Sequence, residues 1–226
     1  MVSLLLASQS PARLATLRSA GVSPLVRVSG VDEDAVLAQA RLLAGEALTP
    51  EDAVLALAQA KAFAVAETLS QEVSDAPEPD ESGADLLVAC DSMLEIDGAV
   101  VGKPGTPGIA RERWRAMRGR SGTLHTGHWL IDLRDPQDGG TGGTLGATAS
   151  TVVEFADLGD TEIDAYVATG EPLAVAGGFT VDGLGGAYVT AIEGDFHNVV
   201  GLSLPLLREL VRSVGVAWHE LWDARA

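Results

Sequence analysis

A mixed α/β fold is what the sequence predicts, on three observations. The 226 residues, 46% of them hydrophobic, suffice to bury a substantial core, as one large domain or two intimately joined lobes. Residues 3–7 (SLLLA) form a short apolar run that gives way at once to a helical pattern. Residues 86–90 (LLVAC) are continuously apolar, as in a strand covered on both faces.

In chain order, residues 3–7 read as a buried strand and 11–20 as a helix ended by Gly21. Between them lies Ser8-Gln9-Ser10-Pro11-Ala12-Arg13. A strand turning into a helix, with hydroxyls at the turn and proline in the first helical turn, exposes backbone N–H groups suited to an anion. Arg13 adds a guanidinium; the same residues also suit an ordinary N-cap by Ser8 or Ser10 with Arg13 solvated. Residues 25–29 read as a second strand, followed by Asp32-Glu33-Asp34 as a solvated turn. Thr49-Pro50-Glu51-Asp52 starts a helix running to about Leu69, with Val54, Leu57, Ala58 and Ala62 on one stripe. Lys61 is the only cation between Arg41 and Gly102. Residues 70–85 (SQEVSDAPEPDESGAD), acidic and rich in Pro, Ser and Gly, read as a flexible surface loop.

Residues 88–104 hold the chemistry. The apolar run ends in Asp91, and residues 93–96 and 99–101 read as two further strands joined by Asp97-Gly98, a dipeptide suited to a tight hairpin. That hairpin carries Gly102-Lys103-Pro104 back toward Asp91. A carboxylate facing a lysine suits a base and a phosphate ligand, or a surface ion pair. Residues 106–117 read as a helix with Trp114 and Met117 inward; its arginines and those just beyond, from Arg111 to Arg120, read as a solvated face. Residues 123–133 form a strand on which His125 and His128 point to opposite faces, poorly placed to share a metal. Residues 139–146 (GGTGGTLG) lack the phosphate-loop signature and read as a hairpin tip. A strand over 144–155, a helix over 161–168, a glycine-dense stretch over 169–186, a strand over 188–192, a helix over 203–214 and a strand-like end over 216–222 complete the chain. No internal repeat or interdomain linker stands out.

A formal charge of −17 repels phosphodiester backbones at long range, which argues against nucleic acid as a partner but leaves room for a free nucleotide. No basic leader or stretch of about 18 apolar residues is evident, so the expectation is a cytoplasmic protein without a membrane partner. A single cysteine, Cys90, excludes an internal disulfide and reads as a small core residue.

Beyond single segments, an ordered set stands out: Leu6-Ala7-Ser8-Gln9-Ser10-Pro11-Ala12-Arg13, Ala60-Lys61-Ala62, Asp91-Ser92 with Asp97-Gly98 and Gly102-Lys103-Pro104, and Ser121-Gly122-Thr123-Leu124-His125. Tyr166-Val167-Ala168-Thr169-Gly170-Glu171-Pro172, Ala176-Gly177-Gly178, Gly183-Leu184-Gly185-Gly186 and Gly194-Asp195-Phe196-His197-Asn198-Val199-Val200-Gly201-Leu202 follow. In this order the set resembles the Maf family of nucleoside triphosphate pyrophosphatases, also called septum-formation inhibitor Maf-like proteins, over nearly the whole chain. The resemblance implies one domain over residues 1–226, with two lobes on a long twisted mixed β-sheet and a nucleotide cleft between them. It further implies cleavage of a nucleoside triphosphate to the monophosphate and pyrophosphate, a divalent cation (Mg²⁺ or Mn²⁺) and a homodimer. Asp91 matches the family's proton acceptor. Ser8, Arg13, Lys61 and Lys103 match positions lining the phosphates, and Glu33, with Asp91, matches the acids near the metal. Such a set suits in-line attack on phosphorus, which needs a base for water and cations for the equatorial oxygens.

Three departures bear on the base: Ala12 stands where the family has its first arginine, Ser92 replaces threonine, and Asp182 stands where the thymidine/uridine-preferring branch has glutamine. Val175 replaces a lysine. No dTTP/UTP preference is therefore carried over, and the substrate is a triphosphate of non-standard or pyrimidine type. A second reading is a non-catalytic, nucleotide-sensing regulator of cell division. A phosphatase with a covalent aspartyl intermediate is disfavoured, because Ser92-Met93 follows Asp91 where such enzymes carry a second acid.

Overall fold

The computed structural model describes residues 2–44, 48–75 and 83–223. Among them the chain runs β1 (Leu4–Ala7), α1 (Pro11–Ser19), β2 (Leu25–Arg27), α2 (Glu33–Ala44), α3 (Pro50–Asp75), β3 (Leu86–Ile96), β4 (Ala99–Val101) and α4 (Pro107–Met117). It continues through β5 (Ser121–Asp132), β6 (Thr144–Phe155), α5 (Asp160–Ala168), β7 (Val189–Glu193), α6 (Phe196–Val200) and α7 (Leu204–Ser213). The described strands form a mixed sheet in the order β2-β1-β3-β5-β6-β7, with β4 on β3. β1 pairs in parallel with β2 and β3, whereas β3–β4 and β6–β7 are antiparallel, so the mixed α/β class holds.

The chain divides into two compact units. The first comprises Met1–Asp91, Gly127–Thr148 and Leu204–Ala226; the second comprises Ser92–Thr126 and Ala149–Ser203. In the first unit, Leu5 and Ala7 of β1, Leu87 and Ala89 of β3, and Ile131 of β5 pack with Ala62 and Val65 of α3. Val54, Leu57 and Ala58, one and two turns earlier on α3, are buried on the same stripe. Gly127 of β5 lies so close to the Val54 carbonyl that any Cβ there would overlap the α3 backbone. By length and composition α3 could cross a membrane over Pro50–Glu72, with a mean hydropathy of 1.3, where no such stretch was expected. A third of that window, 33%, is buried, and the buried part includes the stripe that covers the core.

At the C-terminal end of β5, Arg134 forks onto Asp132 with Nε–Oδ1 and Nη2–Oδ2 both at 2.8 Å, and it also donates to the Val214 carbonyl at 2.7 Å. Thr141 donates to Asp132 through its backbone N–H and its hydroxyl, at 2.8 and 2.7 Å. Burial alone would raise the Asp132 pKa, yet these donors hold it well below the usual carboxylate range. The glycine-rich segment between β5 and β6 is therefore a loop tied to its own acid, in keeping with its reading as a hairpin tip.

The second unit is built around Trp114 of α4, fully buried, with ring centroids 5.4 Å from Tyr166, 5.8 Å from Phe155 and 5.9 Å from Tyr188. Its indole N–H donates to the Gly178 carbonyl at 2.8 Å. Thr106 caps α4 with Pro107 in the first turn, and Met117 is buried as expected. The exposed face of α4 is ion-paired to α5, Arg111 with Asp164 and Arg115 and Arg118 with Asp160. The hairpin between β3 and β4 turns at Asp97 (φ 51°) and Gly98 (φ 77°), the positive pair required by a two-residue turn of the primed type.

Four expectations are corrected. β3 runs unbroken through Asp91, because the ladder does not need each residue to be apolar. Asp32-Glu33-Asp34 is not a solvated turn but the start of α2, where Asp32 Oδ1 accepts from Ala35 N at 3.0 Å. α3 continues past Leu69 to Asp75, so residues 70–75 are helical; residues 76–82 of the expected acidic loop lie outside the described residues. Residues 216–222 carry a 3-10 turn at Trp218–Leu221 rather than a strand.

Candidate functional site

Five of the residues singled out by sequence lie in the first unit, and the structure brings them together in two linked groups. At the end of β1 the chain turns into α1, capped by Ser10, whose Oγ accepts from Arg13 N at 3.4 Å, with Pro11 at the first helical position. Ser8 Oγ accepts from Ser10 N at 3.1 Å and from Arg13 Nη1 at 3.2 Å. With two donors arriving at that oxygen, the Ser8 O–H can still donate, beside a guanidinium: a pairing suited to a phosphate oxygen.

The second group is centred on Lys61. Its Nζ lies 2.5 Å from Asp91 Oδ1 and 2.6 Å from Glu33 Oε1. The Lys61 and Asp91 side chains are each 12% exposed, against 44% for Glu33. Asp91 sits midway along β3, directly after Cys90, and Lys61 reaches it from α3. Burial pushes the Cys90 thiol up to about 12, with Arg13 and Lys61 opposing the rise and Asp91 adding to it. Arg13, Lys61 and Asp91 thus act on one common neighbour, and Cys90 is an inert core thiol as expected.

Lys103, Ser92 and Asp182 belong to the second unit. Lys103 is exposed on the turn after β4, held on one side by the Gly102 carbonyl accepting from Arg113 and on the other by Gly105 N donating to Leu173 O at 2.9 Å. Ser92 Oγ shares a hydrogen bond of 2.9 Å with Thr126 Oγ1, which donates to the Asn198 carbonyl at 3.1 Å. Asp182 is exposed within the glycine-rich segment. The anchor of that segment was missed in the sequence. Glu171 accepts from Thr180 Oγ1 at 2.5 Å, Gly185 N at 2.9 Å, Leu184 N at 3.0 Å and Tyr166 Oη at 3.0 Å. Burial would raise the Glu171 pKa, but these donors lower it on balance. A Cβ at Gly183 would meet Glu171 Oε2 at 2.7 Å, so a side chain there would crowd the carboxylate. Only the Gly-Glu-Pro break in the helix pattern hinted at it.

Among the described residues no group of three or more His, Cys, Asp or Glu converges as a metal cage. The Asp91–Glu33 pair nevertheless fits a hard divalent cation: two carboxylate oxygens already converge on one cationic point, the Lys61 ammonium. Mg²⁺ usually takes one or two protein carboxylates and completes its shell with water and substrate phosphates. His125 and His128 are both buried and fall in different units.

Compared with known proteins, residues 3–214 match the family described as Maf-like protein. A nucleoside triphosphate pyrophosphatase from Rhodococcus opacus (strain B4) is 52% identical over 223 residues, 98% of this chain and 97% of that protein. One of the same name from Leifsonia xyli subsp. xyli (strain CTCB07) is 52% identical over 220 residues, 97% of this chain and 96% of that protein. A third, from Streptomyces coelicolor, is 50% identical over 219 residues, covering 97% and 94%.

Proposed function

We propose, from the premise that this chain belongs to the Maf-like protein family, that it is a nucleoside triphosphate pyrophosphatase, a hydrolase acting on acid anhydrides. The observation that carries the mechanism is the nearly buried Asp91, held by Lys61. Lys61 occupies Oδ1, which leaves Oδ2 to take the proton from an attacking water. The water oxygen bonds to the α-phosphorus as the bond to the pyrophosphate oxygen breaks, giving the monophosphate and pyrophosphate. Ser8 and Arg13 hold a phosphate from the β1–α1 turn, Lys61 offsets charge growing on the equatorial oxygens, and Lys103 is assigned to the phosphates by the family resemblance. Ser92 and Asp182 are assigned to substrate selection on the same ground. A divalent cation, Mg²⁺ or Mn²⁺, held by Asp91 and Glu33 would supply further charge neutralisation on the phosphates.

The chain acts as one domain over residues 1–226, as a cytoplasmic homodimer, on a free nucleotide rather than a nucleic acid or a membrane. The net charge of −17 supports the choice of nucleotide over polyanion.

The test is pyrophosphate release across a panel of standard and modified nucleoside triphosphates with Mg²⁺ or Mn²⁺. Asp91→Asn is expected to slow release by about 10²–10⁴-fold, the usual worth of a general base, while the protein stays folded. If the wild type releases no more pyrophosphate than Asp91→Asn with any triphosphate, the assignment fails. Nucleotide-dependent stabilisation without turnover would then favour a sensor.

A further inference from the structure

Glu95, His125 and Ser150 stand on β3, β5 and β6, three adjacent strands of the sheet, all within the second unit. By strand alternation they lie on the opposite face from Leu94, Leu124 and Val153, which belong to the core around Trp114. His125 is 2% exposed, with Nδ1 2.8 Å from Ser150 Oγ and Nε2 3.0 Å from Glu95 Oε2. Ser150 is exposed.

For a neutral imidazole, the chemistry of the partners fixes the direction of the chain. A carboxylate only accepts, so Glu95 holds the His125 proton on Nε2, and Nδ1 is left to present its lone pair to the Ser150 hydroxyl. A hydroxyl donating to an imidazole that is itself oriented by a carboxylate is the arrangement of an activated nucleophile, recognised by geometry and roles rather than by chain order. None of the three residues is used in the phosphate chemistry assigned above.

We propose that Ser150 is a base-activated nucleophile at a second reactive site, taking acyl or phosphonyl electrophiles that carry a good leaving group, such as activated carboxylic esters. Ser150 Oγ bonds to the acyl carbon, and its proton passes to His125 Nδ1. The bond to the leaving alkoxide or phenoxide breaks, and the leaving group takes the proton from Nδ1. The Nε2 proton remains shared with Glu95 throughout. Water then attacks the Ser150 ester, giving up a proton to Nδ1, and releases the carboxylic acid.

The test uses the full chain with a phosphonyl fluoride probe, in which fluoride leaves, and with p-nitrophenyl acetate. A single adduct is expected, mapped by peptide mass spectrometry to Ser150 and absent from Ser150→Ala. Glu95→Gln can donate to Nε2 and favour the wrong tautomer, so labelling and p-nitrophenol release are expected to fall by about tenfold or more. Both substitutions are on partly or fully exposed side chains, and melting curves establish that the variants are folded. Pyrophosphate release is expected to survive in Ser150→Ala, so this site fails or stands independently of the pyrophosphatase assignment. An adduct elsewhere, labelling that persists in Ser150→Ala, or an unchanged rate in folded Glu95→Gln would reduce the three residues to a structural ladder across the sheet and overturn the proposal.

Discussion

Lys61 bridges two acids of unequal standing. Its contact with Asp91 joins two side chains each 12% exposed, whereas Glu33 is 44% exposed on the first turn of α2. An ion pair open to solvent on one side contributes about 1 kcal/mol or less to stability. Glu33→Gln is therefore expected to leave the melting temperature nearly unchanged. If Glu33 is a cation ligand, the same change raises the Mg²⁺ concentration for half-maximal pyrophosphate release by about tenfold or more. A Mg²⁺ titration of both proteins measures this, and coincident curves would remove Glu33 from the metal. The candidate site was legible in part. Lys61 stood out as a solitary cation, and Asp91 as an acid ending an apolar run. Their pairing was not legible, since it joins α3 to β3 through tertiary packing; the hairpin carried Lys103 toward Asp91 and the family resemblance placed it among the phosphates, whereas the lysine found on Asp91 is Lys61.

At the scale of elements, local chemistry that acts within a few residues was readable. Thr106-Pro107 started α4, Asp97-Gly98 turned the β3–β4 hairpin, and Ser10-Pro11 opened α1. What failed depended on partners far along the chain. β3 continues through Asp91 because its neighbours complete the ladder, and the acidic run at residues 32–34 became a helix start through the Asp32 cap. The glycine-dense stretch read as a set of loops, while its organising group is Glu171, supplied by four donors of which two are backbone N–H groups. Two glycines separate close approach from simple flexibility. At Gly127 a Cβ would overlap the α3 backbone, so Gly127→Ala is expected to cost about 1–3 kcal/mol or more and to lower the melting temperature. At Gly108, in the first turn of α4, nothing lies within 4 Å of the added Cβ and the backbone is helical. Gly108→Ala is expected to stabilise by about 0.4–1 kcal/mol, through the lower entropy of the unfolded chain. Chemical denaturation of the two variants checks the opposite signs; a stabilising Gly127→Ala would contradict the packing described for β5 and α3.

For the molecule as a whole, where the two compact units divide was not legible in the sequence. The chain passes from one unit to the other at Asp91/Ser92, Thr126/Gly127 and Thr148/Ala149, each within a continuous strand, and again at Ser203/Leu204. The response of the whole chain to pH follows from groups on both units. Asp132 and Glu171 are held at lower pKa values than ordinary carboxylates, so the stability they contribute is present above their unfolded values and is lost as the pH falls through their folded ones. On the alkaline side the order reverses. Burial raises the Cys90 thiol from 9.0 to about 12, and burial is also the largest cause of the rise at Tyr166. Both groups are neutral when protonated, and the folded state holds their protons more tightly than the unfolded state. Their contribution is therefore complete below about pH 9 and declines as the pH approaches 12. The melting temperature of the wild type is expected to fall steadily above pH 9. Cys90→Ala removes one of the two groups at the cost of a small cavity, so its melting temperature starts lower but falls less steeply over the same interval. Parallel slopes for the two proteins would mean that the thiol titrates alike in the folded and unfolded states, and that the alkaline loss of stability comes from other groups.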